Sequence, residues 1–336
     1  MKVFAQGLGM SSILIENKAL TPAVFLAPLA GITDLPFRNL VSGFGAGLVV
    51  SEMVASQEMV QARPSTRARA ELGFGSQNTA VQIAGRDAYW MAECAKMCAG
   101  NGAKIIDINM GCPSKTVTHG QSGSALMKTP DFALSLIEAV VAAVDVPVTL
   151  KTRLGWDDAL LNAPDIARRA QDAGVQMVTI HGRTRCQFYK GQADWAAIAA
   201  VKDAVDIPVI ANGDIVDTDS AKQALVQSGA DGVMVGRGAQ GRPWALAQIA
   251  HDIFGEDAPD IPVGNDLIDL ISKHYESMLS FYGVVLGSRV SRKHLGWYMD
   301  DLGTSKNLRR AIQTEKDTDV VLSLIGRLPD DQEVAA

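Results

Sequence analysis

Short apolar runs rich in valine and isoleucine alternate along the chain with longer stretches of helical periodicity. Eight of these runs are present, at residues 24–28, 47–51, 80–84, 105–109, 146–151, 177–181, 208–212 and 232–236. Short buried strands that alternate with helices are typical of a parallel sheet with crossover helices. Eight strand–helix units favour a closed TIM (β/α)8 barrel over an open, doubly wound sheet.

Glycine or proline follows the helical stretches and marks where they end. The clearest predicted helices cover residues 88–99, 131–144 and 164–173. Before the first run, residues 13–20 have the pattern of a hairpin that turns at Glu16 and Asn17. We expect this hairpin to be structural and to plug the floor of the barrel.

After Pro262 the helical period continues without further strands. The predicted helices cover residues 267–282, 288–299, 307–312 and 317–328. An acidic, proline-containing segment joins them to the barrel. We therefore predict a barrel domain at residues 1–255, a linker at 256–264 and a small all-helical domain at 265–330.

The composition is that of an ordinary soluble globular protein, with 47% hydrophobic and 20% charged residues. The first 20 residues contain no unbroken apolar run, and no stretch approaches the length of a membrane span. These features predict a cytoplasmic protein whose four cysteines stay reduced. Cys94 and Cys98 share a predicted helix, where we expect them to pack as small residues, so no metal site is expected.

Positive charge is concentrated near the C-terminus, although the chain as a whole carries −6. Residues 287–316 contain seven lysines and arginines against three acidic residues. The net charge therefore argues against a uniformly basic coat for nucleic acid, but not against a local basic surface on the helical domain. Such a run can also be an ordinary solvated helix face.

Polar residues stand at the end of nearly every predicted strand. They are Ser51, Glu52, Gln82, Asn109, Cys112, Lys151, His181, Asn212, Gly236 and Arg237. In TIM barrels the active site is built where strands end and the following loops begin. The last two strands open into the glycine-bearing strings Asn212-Gly213-Asp214 and Gly236-Arg237-Gly238. These are the usual positions of a phosphate site, which favours a phosphate-bearing cofactor.

Lys151 ends the string VPVTLK and would point at the barrel mouth. A lysine there suits a Schiff-base nucleophile, as in aldolases, or a fixed cation beside a cofactor's developing negative charge. Gln82 offers the donor and acceptor that the pyrimidine edge of a flavin requires. The aldolase alternative leaves Gln82 and Cys112 without a function.

The string DINMGCPS at residues 107–114 is the most informative stretch. Strand alternation puts Asp107 and Asn109 on the same face, so Asn109 can reach the mouth. Gly111 permits a tight turn, which places Cys112 on a loop above the barrel. A cysteine thiol is mostly protonated near neutral pH and can act as an acid.

Further characteristic strings are spread over nearly the whole predicted barrel. They are NMGCP at 109–113, LAPLAGITDLPFR at 26–38, VSEM at 50–53, VQIAG at 81–85, HGRTR at 181–185, ANGDI at 211–215 and VGRGAQGRPW at 235–244. The string SRKHLGWY at 291–298 lies in the predicted helical domain. Together these strings resemble the tRNA-dihydrouridine synthase family, and the last resembles its bacterial B-type branch.

The resemblance implies an FMN site and a proton donor. The implied FMN-binding residues are Pro28, Leu29, Ala30, Gln82, Lys151, His181, Asn212, Gly213, Asp214, Gly236 and Arg237. Leu29 stands where the family usually has methionine, and we expect this contact to be made through the backbone. Cys112 matches the family's proton donor.

The implied reaction is reduction of the C5=C6 bond of a uridine in the tRNA D-loop to 5,6-dihydrouridine. Reduced FMN, regenerated by NADPH, would give hydride from N5 to C6, and Cys112 would protonate C5. Asn109 would orient or contact the uracil, which must leave the base stack to reach a barrel mouth. The basic helical domain would bind the tRNA phosphates, with Arg289, Arg292, Lys293, Arg309 and Arg310 as candidates.

Two alternatives stay open at the level of the sequence. One is an FMN barrel oxidoreductase that acts on a small pyrimidine, and the other is a non-catalytic RNA-binding protein on a retired barrel. No dinucleotide-binding fingerprint is present, so we expect NADPH to visit the flavin site. The expected partners are tRNA and NADPH, without DNA or membrane, and we expect a monomer.

Overall fold

The computed structural model describes residues 11–61, 70–71 and 78–330. Within them, eight parallel strands form a closed barrel: Val24–Leu26, Leu48–Val50, Thr79–Ala84, Ile105–Asn109, Val148–Arg153, Met177–His181, Val209–Asn212 and Gly232–Val235. Val24–Leu26 pairs with both the second and the eighth strand, which closes the ring. A short strand, Val54–Ala55, adds to the edge of the third. The predicted TIM barrel is confirmed.

Helices follow the barrel strands and cover their outer face. They are Leu35–Gly43, Ser56–Val60, Ala88–Gly100, Lys115–His119, Pro130–Val141, Ala163–Asp172, Ala199–Lys202, Thr218–Ser228 and Ala245–Phe254. The first begins where the Asp34 carboxylate accepts a 3.0 Å hydrogen bond from the Phe37 amide, which caps the helix. The predicted helix at 131–144 ends at Val141. The helix ends three residues earlier than predicted, and Pro147 disfavours the helical conformation only in Val146, which directly precedes it.

The predicted hairpin is confirmed by antiparallel strands Ile13–Ile15 and Lys18–Leu20. The buried side chains of the hairpin pack against residues at the start of the barrel strands. This cluster contains Ile13, Ile15, Leu20, Phe25, Leu48, Ala80, Ile105, Met177, Ile210 and Met234. Because strands start at the floor of the barrel and end at its mouth, the hairpin closes the floor.

Four helices follow the barrel: Gly264–Tyr282, Val284–Asp301, Lys306–Thr314 and Thr318–Ile325. They share a hydrophobic cluster that includes Ile271, Tyr275, Leu295, Met299 and Ile312. This cluster is separate from the barrel core, in agreement with the helical character predicted after Pro262. The exact domain limits stay a prediction. In the described part of the chain, no helix has the length and hydropathy needed to span a membrane.

The C-terminal helices dock on the first barrel helix through buried rings. The Phe37 ring lies 4.9 Å from the His294 ring and 5.9 Å from the His274 ring, between centroids. His274 Nδ1 lies 3.0 Å from the Tyr298 hydroxyl. Burial lowers the pKa of His274 to about 4 and the pKa of His294 well below its usual range. Both histidines are therefore neutral in the docked structure near neutral pH.

Candidate active site

A cavity of about 480 Å³ opens at the carboxyl ends of the barrel strands. It brings together the predicted residues Pro28, Leu29, Ala30, Gln82, Asn109, Cys112, Lys151, His181, Asn212, Gly213, Asp214, Gly236 and Arg237. Its volume is in the range of cofactor sites. A larger groove of about 1030 Å³ lies between the helices Leu35–Gly43 and Gly264–Tyr282, and none of the predicted residues lines it.

Asp107 lies beneath the cavity as a buried carboxylate. It accepts hydrogen bonds of 2.6 Å from Gln82 Nε2 and 2.6 Å from Thr149 Oγ1. Burial raises the pKa of Asp107 to about 6, although these two hydrogen bonds and the nearby Lys151 oppose the change. Asp107 therefore fixes which end of the Gln82 amide faces it, because a carboxylate accepts and does not donate.

The Gln82 amide continues this hydrogen-bond chain towards Cys112. Gln82 Oε1 accepts a 2.7 Å hydrogen bond from Asn109 Nδ2. The other end of Asn109, Oδ1, accepts from the backbone amides of Cys112 at 3.0 Å and Gly111 at 3.2 Å. In this structure Asn109 holds the turn that carries Cys112, so its predicted contact with uracil would need the remaining amide hydrogen. Gln82 is similarly engaged on both ends of its amide.

Lys151 lies in the wall of the cavity and is 8% exposed. Its Nζ donates a 2.8 Å hydrogen bond to Asn212 Oδ1, and Asn212 Nδ2 donates at 2.8 Å to the Met234 carbonyl. Burial, followed by the positive charge of Arg153, lowers the pKa of Lys151 to about 8. Lys151 is thus a largely protonated, fixed cation near neutral pH. Its ammonium group is held by the Asn212 amide rather than by a carboxylate.

The predicted phosphate corner is organised around Asp214. Its carboxylate pairs with Arg183 at 2.5 Å and with Arg237 at 3.1 Å. Partial burial alone would raise the pKa of Asp214, but the hydrogen bonds from Arg183 and the Ala193 amide hold it below its usual range. Asp214 therefore orients Arg237 rather than presenting a free negative charge to a phosphate.

Gly213 keeps this corner open. Its φ is +112°, a backbone conformation that favours glycine. A Cβ at this position would lie 2.9 Å from Ala193 Cβ and 2.9 Å from His181 Cδ2. The glycine is required here by both backbone conformation and space.

Arg153 is a site residue that the sequence prediction missed. The fifth strand runs to Arg153 rather than ending at Lys151, because Arg153 pairs in register with His181. Arg153 Nε donates a 2.7 Å hydrogen bond to the Gly111 carbonyl, next to Cys112. Alternation from Lys151 puts Arg153 on the same face, so the signal was present.

Tyr189 also lines the cavity and was not predicted. Its ring lies 5.4 Å from the Arg153 guanidinium and 5.9 Å from that of Arg237. Its side chain is 57% exposed, so it forms part of the rim. It comes from the loop after the sixth strand, which carries no periodic signal that could place a single side chain.

Arg292 and Lys293 do not line the cavity. Lys293 Nζ lies 3.3 Å from the position that a Cβ on Gly31 would occupy, and Gly31 follows the cavity residue Ala30. Lys293 is exposed and Arg292 is half-buried on the same helix. Lys293 therefore stands at the rim of the cavity, and a role of either residue in tRNA binding stays a prediction.

The cavity residues fit a phosphate-bearing cofactor. Gly213 and Arg237 form a corner suited to an oxyanion, and Lys151 supplies a buried cation. Within the described part of the chain, no group of three or more histidine, cysteine or acidic side chains could hold a metal ion. Cys94 and Cys98 are buried and carry free thiols.

Comparison with known proteins identifies the family. The model of the family described as "Dihydrouridine synthase (Dus)" matches residues 25–328. A "Probable tRNA-dihydrouridine synthase" of Rhodobacter capsulatus is 60% identical over 326 residues, which are 96% of this chain and 100% of that protein. "tRNA-dihydrouridine synthase B" of Vibrio vulnificus is 46% identical over 297 residues, covering 88% of this chain and 92% of that protein.

A solved structure supports the fold alone. Histamine dehydrogenase from Rhizobium sp. 4-9 superposes with a TM-score of 0.57 at 12% identity, over 80% of this chain. This chain spans about half of that protein's length, 51%. The family predicted from the sequence strings is confirmed by the family match and by the curated relatives, and this chain belongs to the dihydrouridine synthase family.

Proposed function

We propose that the protein is a flavin-dependent tRNA-dihydrouridine synthase that uses NADPH. It would reduce the C5=C6 bond of a uridine in the tRNA D-loop to 5,6-dihydrouridine. The observation that carries this proposal is the position of Cys112. Its backbone amide is hydrogen-bonded to Asn109, and the turn that carries it lines a cavity with Lys151 in its wall. The names of the curated relatives support the substrate.

The cavity residues would hold FMN with its phosphate at Gly213, Gly236 and Arg237. When bound, FMN would supply hydride to C6 of the uracil, and NADPH would restore its reduced form. Lys151 would stabilise negative charge that develops on the ring system, because a cation in a dry site is weakly screened. Gln82 would position the edge of the flavin ring. It would use the hydrogen-bonding capacity of its side-chain amide that the bonds to Asp107 and Asn109 do not occupy.

Cys112 would deliver the proton to C5 of the uracil. Its thiol is half-buried at the cavity wall, and its backbone amide is held by Asn109. Arg153 holds the preceding carbonyl, that of Gly111. A turn fixed on both sides keeps the donor in one place, which favours proton transfer to a single carbon.

Nucleoside mass spectrometry of tRNA tests this function. Cells that lack the protein would be restored with wild type, with Cys112→Ala, or with Cys186→Ala, which removes an exposed thiol outside the cavity. We expect wild type and Cys186→Ala to restore dihydrouridine and Cys112→Ala to fail. Equal dihydrouridine in all strains, in a cell without a second enzyme of this kind, would refute the proposal. Reduction of free uracil by the purified protein would then indicate a small-pyrimidine enzyme.

A further inference from the structure

A cation sandwiched between two aromatic rings lies beside the cavity mouth. The Arg185 guanidinium carbon is 4.6 Å from the Trp156 ring centroid and 4.7 Å from that of Phe188. Lys128 Nζ lies 4.9 Å from the Trp156 centroid. We call these four residues the Trp156 cluster. The rings restrict the guanidinium to one orientation, so little entropy is lost when it binds a partner.

The Trp156 cluster faces the C-terminal helices across the mouth. Trp156 follows the fifth strand and Arg185 the sixth, whereas Lys293 stands beside Gly31, after the first strand. In an eight-stranded ring the fifth strand lies opposite the first. The cluster is therefore a barrel surface distinct from the basic C-terminal helices.

The cations of the Trp156 cluster have no acidic partner among the described residues. Neither Arg185 nor Lys128 takes part in an ion pair there, whereas Arg183 and Arg237 both pair with Asp214. Arg185 Nε is also buried without a hydrogen-bond partner. Two neighbouring cations without a counter-charge in the described part of a chain whose net charge is −6 indicate a transient anionic partner.

The Trp156 cluster is linked to the turn that carries Cys112. Arg185 Nη2 lies 3.4 Å from Thr118 Oγ1, in the short helix after that turn. Arg153 bridges the Gly111 carbonyl at 2.7 Å and the Phe188 carbonyl at 2.8 Å. An anion bound at the cluster would therefore lie next to the base whose carbon receives the Cys112 proton.

We propose that the Trp156 cluster binds a backbone phosphate of the substrate RNA, close to the uridine that enters the cavity. Arg185 would bind the phosphate through Nη1, since Nη2 also contacts Thr118 Oγ1, and Lys128 adds a second charge. This inference rests on the proposed function for the identity of the RNA. The Trp156 cluster would be a second point of attachment, in addition to the predicted contacts of the C-terminal helices. The RNA would then be held from both sides of the mouth.

The salt dependence of tRNA binding tests this surface. Arg185→Gln keeps a polar side chain but removes the charge, and Lys128→Gln does the same at an exposed position. Arg168→Gln is the matched control, because Arg168 is an exposed arginine on the outer helix Ala163–Asp172. Affinity for unmodified tRNA is measured by filter binding at several salt concentrations, after the melting temperature of each variant has been checked.

We expect Arg185→Gln to weaken binding about tenfold, with a log–log salt slope shallower by about 0.7–0.9, the loss of one phosphate contact. Lys128→Gln should change the slope in the same direction, and Arg168→Gln should not. Wild-type affinity and slope in both cluster variants would overturn the inference. If wild type forms no dihydrouridine but Arg185→Gln still loses salt-dependent binding, the proposed function fails while the phosphate site stands.

Discussion

The side-chain amide of Gln82 donates a 2.6 Å hydrogen bond to the carboxylate of Asp107. This single bond sets the orientation of two further groups, because Gln82 then accepts from Asn109, and Asn109 accepts from the amide of Cys112. A buried carboxylate at the bottom of the cavity thus determines where the thiol stands at its wall.

Asp107→Asn should disturb this chain without changing the size of the side chain. An amide in place of the carboxylate can point its NH2 group at Gln82, which must then rotate and lose its bond to Asn109. We expect dihydrouridine formation to fall about tenfold or more, because small displacements of a reacting group are costly. Thr149→Val removes only the second donor to Asp107 and should lower dihydrouridine formation less. Equal activities of wild type and Asp107→Asn, at equal flavin content, would contradict the prediction.

Lys151→Met should weaken the binding of FMN, the proposed cofactor. The change removes the buried cation and leaves Asn212 Oδ1 without its donor. We expect the Kd for FMN to rise about tenfold or more, since a charge-assisted hydrogen bond contributes about 1.5–3 kcal/mol. Lys202→Met is the control, because Lys202 pairs with Asp231 outside the cavity. Fluorescence titration of the apoprotein measures the Kd of each variant for FMN. Similar Kd values for Lys151→Met and Lys202→Met would contradict the prediction.

Gly213→Ala and Gly191→Ala separate crowding from backbone strain. Both glycines have positive φ, but a Cβ at Gly213 meets two atoms at 2.9 Å, whereas a Cβ at Gly191 meets none within 4 Å. We expect Gly191→Ala to lower the free energy of unfolding by about 1 kcal/mol and Gly213→Ala by about 2 kcal/mol more. Urea unfolding measures the difference, and equal losses would show that the corner at Gly213 relaxes freely.

Acid should destabilise the protein through the buried histidines of the helix interface. The pKa of His274 is lowered from 6.5 to about 4, so the unfolded chain takes up a proton first as the pH falls. Its contribution to stability is complete above the unfolded pKa and is lost as the pH falls from about 6.5 towards about 4. His294 acts in the same direction.

Replacing His274 with glutamine should therefore flatten the pH dependence of unfolding. Between these pKa values the slope should decrease by up to about 1.4 kcal/mol per pH unit, which corresponds to one proton. His119→Gln changes an exposed histidine and should leave the slope as it is. Urea midpoints and slopes at several pH values provide the measurement, and an unaltered slope in His274→Gln would show that this histidine is not the group that takes up the proton.

The barrel and most cavity residues were predictable because periodicity and strand ends are local properties of the sequence. The hydrogen-bond partners of each side chain were not predictable from the sequence. Asn109 was expected at the uracil, and only the folded backbone shows that its oxygen caps the Cys112 turn. Arg153 was missed because the predicted strand ended at Lys151; alternation puts Arg153 on the same face, but only the register with the sixth strand shows that the strand extends to it.

The hairpin of Ile13–Ile15 and Lys18–Leu20 covers the floor of a barrel whose interior is filled by buried side chains. Ligands therefore reach the cavity from the mouth and not along the barrel axis. The two proposed substrates, NADPH and tRNA, would then have to use the same opening in turn. Such alternation is ping-pong kinetics, visible as parallel lines in double-reciprocal plots. The packed, closed end of the barrel would thus make the two substrates share the mouth.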